Sequence, residues 1–205
     1  MNHYFTDNRH LAQNRKEITF RFSCFTYHFI TDNGVFCKDY VDMGSQVLLE
    51  AIEKKNELGD KALDLGCGYG VIGIVLAKLH PSMKWMLAEI NPRSLELAKE
   101  NALRNEVQVE CVYSDVYSGV KGNTFTDIIT NPPIRAGKEV IYRMFDEAYD
   151  HLETNGRLWV VIRKQQGAPS AKKHIENTFG NCEILERSKG YYILFAKKLD
   201  KLTVD

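Results

Sequence analysis

From Lys61 onward the chain alternates short strand-like runs with helix-like runs, and this constrains its fold more than any other feature. Ala62–Leu65 reads as a strand, Val71–Leu79 as a helix and Trp85–Glu89 as a second strand. Asn91-Pro92 predicts a capped helix reaching Asn101, with proline in its first turn. Val107–Val112 and Asp127–Thr130 follow as strands, Ala136–Leu152 as a helix and Arg157–Ile162 as a fifth strand. Pro169–Phe179 reads as a helix, then Glu183–Leu185 and Tyr191–Ala196 as two strands joined by Ser188-Lys189-Gly190. Repeated β-α units of this kind bury both faces of a mainly parallel sheet under helices. The expectation is an α/β, Rossmann-like fold with seven strands, helices on both faces and an antiparallel terminal hairpin.

The segment before Lys61 has a different texture. Ile18–Phe22 alternates, and Phe25–Ile30 is rich in aromatic and β-branched residues, so both read as extended arms. Asp32-Asn33-Gly34 is a turn signal, and Gly44-Ser45 opens a helix with Val47, Leu48, Leu49 and Ile52 on one face. We expect residues 1–58 to form β arms and a helix that pack on a core spanning 59–200, one compact domain overall. The aromatic arms can cover the sheet or pair with another chain, which leaves the oligomeric state open.

Lys and Arg total 27, as do Asp and Glu, so the net charge is zero. Any affinity for a polyanion must then come from a local patch rather than from the whole molecule. Five cysteines, widely spaced and without a Cys-x-x-Cys pair, argue against a disulfide framework and against a zinc site. A reducing cytoplasm fits them. Met1–His10 is polar, and the longest apolar run, Val71–Leu79, is too short to span a membrane.

The chemistry concentrates at strand ends. Asp64-Leu65-Gly66-Cys67-Gly68-Tyr69-Gly70 joins the first core strand to its helix. A dinucleotide fingerprint needs glycine where Val71 stands, and a carboxylate at the mouth of the loop repels a pyrophosphate. Asp64 suits a ligand bearing an ammonium group and no phosphate, as S-adenosylmethionine does. Glu89 ends the next strand, nineteen residues after Gly70, where it can accept ribose hydroxyls or cap the following turn. Asp115 ends the third strand, where it can receive an adenine amino group or remain a loop residue. Three acids at three successive strand ends point to one nucleoside crevice. Cys67 and Val116 lie in the same loops and are counted with it.

Asn131-Pro132-Pro133-Ile134 follows the fourth strand. An exocyclic amine is a poor nucleophile because its lone pair is delocalised into the ring. Donating its two N–H groups to the Asn131 side-chain oxygen and the Pro132 carbonyl lets the nitrogen pyramidalise. Prolines fix the direction of that carbonyl, so the geometry is set in advance.

These motifs, with Asp32–Phe36, Val41–Ser45, Glu89–Arg93, Asn131–Lys138, Lys164–Ser170 and Gly190–Tyr192, carry a family likeness. The chain resembles the bacterial small-subunit ribosomal RNA guanine-N2 methyltransferases, in the branch made of the catalytic domain alone. The likeness runs from His3-Tyr4-Phe5 almost to the C-terminus. It implies a class I fold, S-adenosylmethionine as cofactor and 16S rRNA, free or in the small subunit, as partner. It implies cofactor positions at Asp64, Gly66, Gly68, Gly70, Glu89, Asn91 and Asp115, and catalytic positions at Asn131 to Ile134. By analogy Phe36, Gly44 and Ser45 close the methionine end, although Phe36 reads equally well as a core aromatic. Relatives acting on adenine N6 or protein glutamine carry an aromatic residue where Ile134 stands, which favours guanine. A non-catalytic RNA-binding assembly factor would not require Asp64, Glu89 and Asn131. Candidates for RNA backbone contacts are Arg135, Lys138 and Arg143, then Arg163, Lys164, Lys172 and Lys173, each of which also reads as a solvated helix face. His80, His151 and His174 form no recognisable catalytic set.

Overall fold

Period-two patterning in the central strands gives the sheet two apolar faces. The computed structural model describes residues 12–200; the start of the family likeness at His3-Tyr4-Phe5 and the polar stretch Met1–His10 lie outside them. The strands are β1 (Lys16–Phe22), β2 (Phe25–Thr31), β3 (Lys61–Leu65), β4 (Lys84–Glu89), β5 (Glu110–Tyr113), β6 (Phe125–Thr130), β7 (Leu152–Arg163), β8 (Glu183–Ser188) and β9 (Tyr191–Lys197). The helices are α1 (Met43–Lys55), α2 (Val71–Leu79), α3 (Pro92–Arg104), α4 (Lys138–His151) and α5 (Ala168–Phe179). Seven strands form one sheet in the order β5-β4-β3-β6-β7-β9-β8. β3 to β7 are parallel, and β9 pairs antiparallel with both β7 and β8.

Along β7, Leu158, Val160 and Ile162 face α4 and α5, while Trp159 and Val161 face the cluster built with α1, α2 and α3. β4 divides the same way: Met86 and Ala88 to one side, Trp85 and Leu87 to the other. Each of the Leu, Val, Ile and Met side chains among these, once fully buried, contributes about 1.5–3 kcal/mol. Asp64 shares the parity of Ala62 and so enters the α2 face as a charged residue among apolar ones.

Several boundaries differ from expectation, each for a local reason. The helix expected from Ala136 is interrupted: Ile134–Ala136 is a 3-10 turn, and Gly137, at φ 92° and ψ 161°, breaks the path before α4. β5 starts at Glu110 rather than Val107, because the Val107 amide donates to the Ala102 carbonyl at 3.0 Å and holds that segment to the end of α3. β7 reaches back to Leu152 through an irregularity opposite Phe125 and Asp127. β8 runs on to Ser188, paired there with Tyr191. No described helix is long and apolar enough to cross a membrane.

The arms β1 and β2 form an antiparallel hairpin with Phe22 opposite Phe25. They cover the core. Tyr27 and Phe29 are fully buried in the cluster that also holds α1, α2 and α3. Two asparagine amides, Asn101 in α3 and Asn105 at its C-cap, act as a surrogate strand along β2. Asn101 accepts from the Ile30 amide at 2.7 Å and donates to the Ile30 carbonyl at 3.0 Å; Asn105 does the same for His28 at 3.0 and 2.8 Å. The edge of β2 facing α3 is satisfied by side chains within the chain, as buried backbone groups require.

Candidate active site

The strand order reverses at β3. The chain leaves β3 toward β4 and β5, then returns to place β6 on its other side. Such a switch point opens a crevice at the carboxyl ends of the strands. The loops after β3, β4, β5 and β6 meet there, and Thr130 Oγ1 ties two of them by donating to the Leu65 carbonyl at 2.8 Å.

Asp64 closes the floor. Its Oδ2 accepts from the Gly73 amide, in the first turn of α2, at 2.8 Å. Its Oδ1 is buried and has no partner among the described residues. Burial pushes this carboxyl up to about 7, the Gly73 bond opposes that, and the nearby Glu89 charge adds to it. Gly73 is required by the approach itself: a Cβ there would stand 2.7 Å from Leu87 Cδ1 and 3.1 Å from Asp64 Oδ2. Gly70 caps α2 at φ +95°, a conformation that disfavours any other residue. The Gly66 and Cys67 amides both donate to the Ala88 carbonyl, at 2.9 and 3.1 Å, which folds the loop over the end of β4. Burial holds the Cys67 thiol far above its usual range, so it is no thiolate.

Glu89 is 2 % exposed and braces that loop. Its Oε2 accepts from the Gly68 amide and its Oε1 from the Asn91 amide, both at 2.8 Å. A carboxylate oxygen has a second lone pair, so these bonds do not prevent either oxygen from accepting a hydroxyl. The Asn91 side chain caps α3, accepting from the Arg93 and Ser94 amides at 3.0 and 3.2 Å. Asp115 is exposed and ion-paired to Arg143, which also reaches Glu147 at 3.4 Å. Arg143 is thereby held by acids. Val116 is buried at φ 51°.

Phe36 is 57 % exposed, so of its two readings the core aromatic is not realised. Gly44 and Ser45 open α1 and donate their amides to the Asp42 carboxylate at 2.9 and 3.2 Å. The same carboxylate, with Ser45 Oγ, receives the Asn131 amide nitrogen: 3.1 and 3.3 Å to Asp42, 3.1 Å to Ser45. Carboxylates only accept, so the nitrogen must face Asp42, and Asn131 Oδ1 points the other way. Among the described residues nothing donates to Asn131 Oδ1 or to the Pro132 carbonyl. Pro133 leads into the 3-10 turn, its carbonyl accepting from the Ala136 amide at 2.8 Å. Ile134 packs on the cluster beneath α4.

Of the basic candidates, Arg135, Lys164 and Lys173 are exposed and have no acidic partner among the described residues. Lys138 lies over the Tyr142 ring at 4.9 Å, Arg163 over the Tyr191 ring at 5.4 Å, and Lys172 pairs with Glu176 at 3.0 Å. His80, His151 and His174 each contact a different neighbour: Glu53, Tyr117 and Tyr142.

The model of the methyltransferase small domain family matches residues 26–195. The chain belongs to that family. This methyltransferase is 40 % identical over 199 residues to the uncharacterized protein YbxB of Bacillus subtilis (strain 168), covering 96 % of this chain and 98 % of that one. It is 32 % identical over 169 residues to ribosomal RNA small subunit methyltransferase C of Vibrio cholerae serotype O1, covering 80 % of this chain and 48 % of the relative. The chain thus spans about half the length of that relative. Among solved structures it is similar to the T. thermophilus 16S rRNA N2 G1207 methyltransferase (RsmC) in complex with AdoMet and guanosine. The TM-score is 0.81 at 26 % identity, covering 90 % of this chain and 50 % of that one. A methyltransferase from Pyrococcus furiosus, at TM-score 0.68 and 21 % identity, shares the fold.

Family and fold make this an S-adenosylmethionine-dependent methyltransferase with a Rossmann-like sheet. The residues present fit that cofactor. The buried Asp64 Oδ1, with no partner among the described residues, calls for a cationic donor, and an amino-acid ammonium is one.

The sequence gives Asp42 no role beyond its place in the Val41–Ser45 likeness, and it does not single out Gly73. Aspartate two residues before Gly44 is a helix-cap signal, but its bond to Asn131 crosses 89 positions and leaves no local trace. Gly73 lies inside a continuous apolar helix, where only the packing against Leu87 shows why it is glycine.

Proposed function

We propose that this methyltransferase transfers the methyl group of S-adenosylmethionine to the exocyclic N2 amino group of a guanine in 16S rRNA. The observation that carries this reading is the orientation of Asn131. Its nitrogen is held by Asp42 and Ser45, which leaves Oδ1, beside the Pro132 carbonyl, without a donor among the described residues. Two acceptors at one strand end match the two N–H groups of an exocyclic amine. Bound S-adenosylmethionine supplies a sulfonium-activated methyl group.

The chain's residues do the rest by placement. Asp64 holds the ammonium end, and Glu89 accepts ribose hydroxyls while it braces the glycine loop. Gly66, Cys67, Gly68, Gly70, Asn91, Asp115 and Val116 line the same crevice, and Phe36, Gly44 and Ser45 bound its methionine end. Asn131 and Pro132 turn the amine lone pair toward the methyl group, and Pro133 stiffens the carbonyl. Methyl transfer there would form an N–C bond as the cofactor's S–C bond breaks, with S-adenosylhomocysteine as the leaving group. No base is needed, since the product ammonium is acidic enough to lose its proton to solvent. Ile134 offers an aliphatic surface to a flipped base. Arg135, Lys138, Arg163 and Lys164 are the proposed contacts to RNA, free or in the small subunit. The names of the ribosomal RNA methyltransferase relatives support the acceptor, and five free cysteines suit a cytoplasmic enzyme.

A substrate lacking the amino group tests the acceptor directly. Inosine is guanosine without it. Label from S-adenosylmethionine should enter a small-subunit rRNA transcript and fail to enter the same transcript made with inosine in place of guanosine. Label in the inosine transcript, in adenine or in protein would contradict the reading.

A further inference from the structure

We propose that Asp42 and Ser45 are positioning residues for the methyl transfer: they fix the Asn131 amide in one orientation and polarise its oxygen. This inference rests on the reading of Asn131 as the group that receives the acceptor's N–H.

A free asparagine amide can rotate to exchange its oxygen and nitrogen. One orientation presents an acceptor to the substrate amine; the other presents a donor to a donor. In this site the choice is made by a closed set of hydrogen bonds. Asp42 Oδ1 and Oδ2 lie 3.1 and 3.3 Å from Asn131 Nδ2, and neither oxygen of a carboxylate can donate. The single Ser45 hydroxyl proton goes to Asp42 Oδ2 at 2.5 Å, which leaves the Ser45 oxygen as acceptor for Asn131 at 3.1 Å. Turning the amide over would set Asn131 Oδ1 against a carboxylate. The set is part-buried, where such bonds are stronger than in water.

Asp42 does more than a helix cap requires. One oxygen suffices to cap α1, and Oδ1 already accepts from the Gly44 and Ser45 amides. Asparagine caps helices as well as aspartate. The second oxygen accepts from the Ser45 hydroxyl, and both oxygens, with the negative charge, face the Asn131 amide nitrogen. Charge-assisted bonds to the amide N–H groups draw electron density toward Oδ1. That strengthens Oδ1 as an acceptor while positive charge develops on the methylated nitrogen.

Asp42→Asn separates the two roles. The cap survives, but an NH2 group now faces Asn131 and lets its amide turn over. Single-turnover methylation with saturating cofactor and RNA should slow by up to about a hundredfold, the scale of a misplaced reacting group. Thermal stability and cofactor Kd should stay at their wild-type values. In an Asn131→Ala background the same substitution should cost nothing further, because no amide remains to be oriented. Wild-type turnover by Asp42→Asn, or losses that multiply in the double variant, would overturn the positioning role while leaving Asn131 intact. Wild-type turnover by Asn131→Ala alone would overturn the reading of Asn131, and this inference with it.

Discussion

At the scale of single residues, the proposed reaction turns on two side chains with unlike demands. Asp64 must be charged to hold an ammonium, yet burial pushes it up to about 7. Unfolded, it titrates near about 3.9. The folded chain therefore binds the extra proton between those values, and the contribution of Asp64 to stability falls as pH rises through that window, levelling above about 7. Cofactor binding has the opposite sense, because the ammonium favours the carboxylate. We expect cofactor affinity to rise toward pH 7, with proton release on binding, then to fall as the α-amino group loses its proton at about 7.7–8.0. Calorimetry in buffers of different ionisation enthalpy measures both. Asp64→Asn keeps an acceptor for Gly73 and should weaken binding and abolish the acid limb; an unchanged limb would count against the assignment. Asn131→Ala should leave cofactor affinity nearly intact and cost about 2–4 kcal/mol in the transition state, as for a lost oxyanion-type contact. The placement of Asp64 and Asn131 at the strand ends was legible because glycines and prolines mark those positions. Asp42 was not, because a cap looks the same whether or not a distant asparagine uses it.

Elements were legible where periodicity and caps agreed. α2 spans Val71–Leu79 as read, and α3 begins at Pro92 behind its Asn91 cap. They were less legible where a single backbone angle decided, as at Gly137. Packing of the arms on the core was expected, but the bonds that dock them were not legible, since nothing in the sequence singles out Asn101 or Asn105. Their bonds allow a discriminating test. Asn101 also donates to the Tyr69 carbonyl in the glycine loop at 2.9 Å, whereas Asn105 serves His28 and the Asn101 carbonyl. Asn101→Ala orphans buried backbone groups at about 1–3 kcal/mol each and should lower Tm by about 2–4 °C for every kcal/mol lost. It should also weaken cofactor binding. Asn105→Ala should lower Tm with cofactor Kd unchanged; if both variants bind cofactor alike, the coupling through Tyr69 is wrong.

For the whole molecule, the βα rhythm disclosed a parallel sheet, but strand order had to come from the structure. The return of β6 to the far side of β3 makes the crevice, and no local pattern records it. With zero net charge, the proposed RNA contact would rest on a few cations that have no acidic partner among the described residues rather than on a general field. Lys164→Ala should raise KM for RNA and reduce the slope of log affinity against log salt by about 0.7–0.9, one phosphate contact's worth, with kcat unchanged. An unaltered slope would remove Lys164 from the interface. The central claim is the identity of the methylated atom. Methyl transfer from radiolabelled S-adenosylmethionine to free rRNA and to isolated small subunits, followed by nucleoside digestion and mass spectrometry, reads that atom. Labelled N2-methylguanosine is the predicted product, and its distribution shows which form of the RNA is used. Label in any other nucleoside, or in neither substrate while the cofactor binds, would contradict the assignment to guanine in rRNA.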